Sequence, residues 1–280
     1  MKSSLLPFVA TVMASLALVP VSVHAVSDTE ATAGRALVKR YADTVVSVEL
    51  VVTVKAGGAG GSQSRELKRE VNGTVISSTG LTVTSLGGID PRAGVSSAGR
   101  GGGDAPDAEF KEVKLRLADN SEIAARVVLK DADLDLAFIA PESEAAAGGR
   151  QFAFVKLDDP AEATVLGNYF EVTRLPKSLQ RLAVVQMSTV VGIVEKPRRL
   201  IYTSEQTMGC PLFDAQGRVL GLGLRYYAGA NVVAPIIVPA ADVADMAKQA
   251  MAVKLPPVET PAATEVKPAG DVPAEAPKAP

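Results

Sequence analysis

The sequence predicts an all-β domain built as a sandwich or a barrel, and three observations carry that expectation. From Thr44 to Val54 the residues alternate, with Val46, Val48, Leu50, Val52 and Val54 on one face and Ser47, Glu49 and Thr53 on the other. A period of two marks a half-buried strand, whereas a helix would mix the two faces. Short runs suited to strands then recur at Val113–Leu117, Ile123–Leu129, Leu134–Ile139, Leu182–Met187, Val190–Val194, Leu200–Thr203, Arg218–Tyr226 and Val232–Val238, separated by Gly, Pro and Asp. Finally, these runs do not alternate with long helical segments, as βα units would require.

Two helices flank the strands. Glu30 to Asp43 carries Ala, Leu and Lys at helical density. After Pro239, the residues Val243, Met246, Ala247, Ala250 and Met251 return at helical spacing, with Asp242 early and Lys254 late to suit the helix dipole. Between the runs at 113–117 and 123–129, Asp119, Asn120 and Ser121 supply turn chemistry, so this pair reads as a hairpin with one wet face. The glycine-rich stretches Ala56–Ser64 and Gly94–Pro106 lack the Lys-Ser/Thr pair of a phosphate-cradling loop and read as surface connections.

The ends of the chain have a different character. Lys2, the apolar stretch Leu5–Val21 and the sequence Val23-His24-Ala25 form an export signal over residues 1–25, with cleavage expected before Val26. The apolar run is short for a membrane span of ~20 residues, so the mature chain is expected to hold no stable membrane span. It should be soluble in the periplasm or outside the cell. From Lys254 the composition turns to Pro, Ala, Glu and Lys, and residues 254–280 cannot bury enough surface to order themselves. Residues 26–253 remain as the folded domain.

Composition then excludes several functions. The only histidine, His24, leaves with the signal, so the mature chain has no imidazole with which to move protons near neutral pH. Cys210 is the only thiol, which rules out an internal disulfide, and zinc finds neither histidine nor a second cysteine. The formal charge of −2, the absence of Trp and an aromatic content of 4% give no field or stacking platform for nucleic acid. Asp131, Asp133 and Asp135 lie close together but lack the glycine and terminal glutamate of a calcium loop, so they read as turn residues. No cofactor is expected.

Three segments resemble the trypsin-like fold of HtrA-type serine proteases. Val71 to Ile89 is similar to the family's run through "LTN-x-HVV", with Gly73, Gly80 and Thr84 in register and Gly87 where the catalytic histidine belongs. Lys130 to Ile139 resembles "D-x-x-x-DLA-x-L", which puts Asp135 at the aspartate that orients the histidine. Gln206 to Gly221 resembles the segment around the nucleophile, with Gly209, Pro211, Leu212, Gly217 and Gly221 matching, Met208 at the serine position and Cys210 at the glycine before proline. The stretch Val232–Pro239 is similar to the strand that leads into the family's last helix.

The resemblance implies two antiparallel six-stranded β-barrels with short N-terminal and C-terminal helices, and a degenerate triad at Gly87, Asp135 and Met208. The oxyanion loop would comprise Gln206, Met208 and Gly209, with Gln206 in place of a glycine that allows an unusual turn. Nothing in the remaining tail fits a PDZ domain. The resemblance, together with the helix near Tyr41, further implies homo-oligomerisation.

The expected function is that of an exported protease homologue without proteolytic activity, binding a peptide or protein partner in the cleft between the barrels. One alternative is an active serine-type endopeptidase with an unconventional site, drawn from Ser47, Ser77, Ser78, Ser85, Ser188 or Ser204 with Lys130 or Lys156, although no spacing selects a pair. Another is a structural scaffold of the cell envelope. Cys210 lies two residues late for a nucleophile and, without a base beside it, reads as a small buried residue.

Overall fold

The valine-rich run near the start of the domain is strand β1 (Val45–Ala56), and it pairs antiparallel on both sides, with β2 (Gln63–Val75) and β4 (Asp107–Arg116). The computed structural model to which these strands belong describes residues 26–56, 63–90, 107–228 and 231–253. The expected export signal and tail, and most of both glycine-rich stretches, lie outside the described residues. With β3 (Thr82–Ser85), β5 (Glu122–Asp131) and β6 (Leu136–Pro141), β1 closes a barrel in the order β1-β2-β3-β6-β5-β4. A second closed barrel, β10-β11-β12-β9-β8-β7, is made by β7 (Asn168–Arg174), β8 (Ala183–Val194), β9 (Leu200–Thr203), β10 (Pro211–Phe213), β11 (Val219–Ala228) and β12 (Asn231–Pro239). The expected pair of six-stranded barrels is therefore what the chain forms.

Alternation explains the interior of the first barrel. Val46, Val48, Leu50 and Val52 from β1 meet Leu115, Ile123, Ala137 and Ile139 in one buried cluster. The opposite face of β1 departs from the expectation of a wet surface, because Ser47 and Thr53 are buried as well. Glu49, on that face, is bonded to Arg181, which the turn between β7 and β8 lays across the first barrel, and Arg181 also reaches Glu70 at 2.6 Å. A second departure is that the runs expected at Leu182–Met187 and Val190–Val194 are one strand, β8. Its ladder with β7 runs unbroken from Arg174↔Ala183 to Asn168↔Thr189, through the point where two strands were expected to part.

Two helices of appreciable length pack on this frame. Ser27 caps α1 (Asp28–Tyr41), accepting from the Glu30 amide while the Glu30 carboxylate accepts from the Ser27 amide. The helix ends on Tyr41, which stacks on Phe213 with ring centroids 4.1 Å apart and donates its hydroxyl to Gly217 O at 2.9 Å. Single turns at Leu86–Ile89 (α2) and Glu144–Ala147 (α3) precede the closing helix, α4 (Ala240–Ala252). Val243, Ala247 and Ala250 of α4 join Val83, Leu136 and Phe138 from the first barrel and Leu222, Leu224 and Val238 from the second. This shared cluster binds the barrels together. No helix among the described residues is long and apolar enough to cross a membrane.

Candidate functional site

Asp135 stands in the turn that leads from β5 into β6, with φ of 57°. Aspartate tolerates this left-handed conformation better than most residues because its short side chain can bond locally. Here the turn delivers a carboxylate that is only 1% exposed. Oδ1 accepts from Gly87 N at 2.6 Å, and Oδ2 accepts from Ser85 Oγ at 2.6 Å and from Arg225 N at 3.0 Å. Ser85 and Gly87 belong to the first barrel and Arg225 to the second, so one carboxylate ties the two together. Burial raises its proton affinity against the pull of those donors.

Gly87 lies in α2, whose N-cap is Ser85; the Ser85 hydroxyl donates to Asp135 and accepts from Gly88 N at 3.1 Å. Space is the distinctive feature of Gly87. A Cβ at this position would overlap the hydroxyl of Tyr227, and would stand 3.0 Å from its Cζ and 3.2 Å from Asp135 Oδ1. Tyr227 comes from β11 of the second barrel, where the ladder to β12 shifts register between Tyr226 and Tyr227. Burial, first, and the Asp135 charge raise the phenol's pKa, while the nearby positive charge of Arg225 pulls the other way.

Met208 begins a tight turn fixed from both barrels. Gly209, with φ of 77°, donates its amide to Gly223 O at 2.7 Å and accepts from Thr74 Oγ1 at 2.7 Å. A Cβ there would drive into the Asn72 carbonyl, so the turn requires glycine. Gln206 is not among the described residues with positive φ. Its side chain instead spans β11 and β12, donating to Leu224 O at 2.8 Å and Ile236 O at 2.7 Å while accepting from Thr203 Oγ1 at 3.0 Å.

Beneath the turn lies Glu171, a group not singled out in the sequence. It is fully buried on β7, accepts from the Thr207 amide at 2.5 Å and bonds the Gln186 amide nitrogen. Burial pushes its pKa up to about 7. The only sequence signal was a carboxylate inside the otherwise strand-like run Tyr169–Thr173. Cys210 is fully buried nearby, its thiol donating to Thr173 Oγ1 at 3.1 Å, and burial raises its pKa far above the ordinary value.

Gly87 and Asp135 are thus in direct contact, whereas Gly209, beside Met208, is bonded to β2 through Thr74 and to β11 through Gly223. Asp131 accepts from the amides of Asp133 and Leu134 and so fixes its own turn. Lys130 reaches Asp90 at 3.5 Å and lies over the Phe110 ring. No cluster of three or more His, Cys, Asp or Glu side chains among the described residues could hold a metal.

Residues 71–222, more than half the chain, match the family described as the trypsin-like peptidase domain. Among solved structures, the HtrA-type protease AlgW, determined with a decapeptide, is similar at 14% identity and a TM-score of 0.56 over 78% of this chain. The match spans 66% of that protein's chain. Deg5 is similar at 19% identity and a TM-score of 0.52, over 79% of this chain and 94% of its own. No curated protein sequence matches significantly.

Proposed function

The chain belongs to the trypsin-like peptidase domain family, and we propose that it is an exported member that binds a peptide or protein partner without cleaving it. The observation that carries this reading is the hydrogen-bonding state of Asp135. A peptidase of this type needs a base that takes a proton from its nucleophile and a carboxylate that orients the base. Here Gly87 offers no side chain, the Asp135 oxygens accept from Ser85, Gly87 and Arg225, and Met208 offers no nucleophile. The Ser85 hydroxyl, though close, is committed as donor to Asp135 and acceptor for Gly88.

Peptide binding is supported by the likeness to AlgW, a protein of the same fold solved with a decapeptide. Export rests on residues 1–25 and assigns the protein to the periplasm or the exterior. The test uses the purified mature chain beside an active trypsin-like control. It is expected to leave casein intact and to take no label from a fluorophosphonate probe. Casein cleavage abolished by a single alanine substitution would overturn the reading.

A further inference from the structure

We propose that Tyr227 is a built-in plug where the two barrels meet: its phenol takes the place of a side chain at position 87 beside Asp135, so that positions 87 and 227 form one packing unit across the two barrels. The geometry is specific. Any L-residue at 87 would begin its side chain on top of the Tyr227 hydroxyl, with Cβ only 3.2 Å from Asp135 Oδ1. The place where a side chain could meet Asp135 is therefore taken by a ring from a strand some 140 residues further along the sequence. Tyr227 is half-buried.

Two consequences follow. A side chain at 87 would force the Tyr227 hydroxyl to move, whereas the backbone makes no demand for glycine, since Gly87 is not among the described glycines with positive φ. In addition, removing the ring should open a ring-sized cavity with a buried carboxylate in its wall, suited to a small aromatic cation such as imidazolium. A buried carboxylate favours a cation that fills the cavity and bonds to it. The proposal concerns packing and holds whether or not the chain cleaves peptides, so its test is separate from the casein and fluorophosphonate assays.

The experiment is a double-variant cycle read by denaturant unfolding of the mature chain. Gly87→Ala should destabilise the wild-type background but have little further effect on Tyr227→Ala, a coupling on the order of tenfold in the folding equilibrium. Tyr227→Phe, which removes the oxygen but leaves Cζ 3.0 Å from the new Cβ, should give only partial relief. Additive effects of Gly87→Ala and Tyr227→Ala would overturn the proposal. If Gly87→Ala alone does not fold, imidazole decides. It should raise the Tm of Tyr227→Ala saturably, leaving the wild type and Tyr227→Ala/Asp135→Asn unmoved. Absence of that rise, or an equal rise in the wild type, would overturn it.

Discussion

Glu171→Gln should remove a fall in stability that Glu171 imposes as pH rises through neutrality. In the folded chain the Glu171 carboxyl has a pKa of about 7, against an ordinary value of 4.5. Between those two values the folded chain holds a proton that the unfolded chain has lost, so stability must fall as pH rises. The contribution is fully present below 4.5 and is lost as pH climbs through about 7. A gap of about two and a half pH units, at about 1.4 kcal/mol each, makes the loss about 3 kcal/mol. Glutamine keeps an oxygen for the Thr207 amide and cannot ionise. Its own cost, a less favourable bond to Gln186, is about 1 kcal/mol. The variant should therefore be about 2 kcal/mol more stable than wild type at pH 8 and slightly less stable at pH 4.5. Urea unfolding of both proteins at pH 4.5, 6, 7 and 8 measures this, and taking the difference cancels the other carboxylates, such as Glu49, whose pKa its Arg116 bond lowers. Parallel stability curves over that range, or a variant weaker than wild type at pH 8, would refute the reasoning.

Asp135→Ala should cost about 3 kcal/mol or more, because it strands the Ser85 hydroxyl and the Gly87 and Arg225 amides, whereas Asp135→Asn should cost less; chemical denaturation reads both. Gln206→Ala leaves the Leu224 and Ile236 carbonyls without their side-chain donor and should cost about 1–3 kcal/mol by the same measurement. Cys210, buried and with its thiol pKa raised, should resist a disulfide reagent under native conditions and react fully in denaturant, while fast native labelling would contradict its placement.

Strands with one dry face were legible in the sequence, and of those dry on both faces β6 and β11 were read whereas β7 was not. β1 and the β4–β5 hairpin announced themselves by alternation, and Leu200–Thr203 was read with its observed bounds. β7 was missed because Tyr169 through Thr173 is buried throughout, so no period of two survives, and Glu171 and Thr173 interrupt its apolar character. The first half of β2, Gln63–Glu70, is polar and charged, and its strand form comes from pairing with β1 rather than from its own pattern. Gly87, Asp135 and Met208 were singled out because they fall within short sequence motifs, and of these Gly87 and Asp135 meet in the fold. Tyr227 could not, because nothing near residue 227 shows that its ring will meet residue 87. That contact depends on the closure of both barrels and the register shift between Tyr226 and Tyr227.

The same geometry explains why an aspartate can stand at position 135 without a histidine to orient. An ionised carboxylate has about four acceptor positions, and three donors already point at this one. Two come from the start of α2 and one from the middle of β11, so the side chain fixes a short turn in one barrel against a strand of the other. The bonds to Gly87 and Arg225 go to backbone amides, which every non-proline residue provides, and neither requires an imidazole. Desolvation makes the charge unfavourable and the donors offset that penalty, so deleting the carboxylate would leave those donors buried and unpaired. An aspartate at this point in the fold is therefore sufficiently explained by the join between the barrels. Under the function proposed above, its presence is no sign of retained proton transfer, for which the residues at 87 and 208 would have to supply chemistry that glycine and methionine lack.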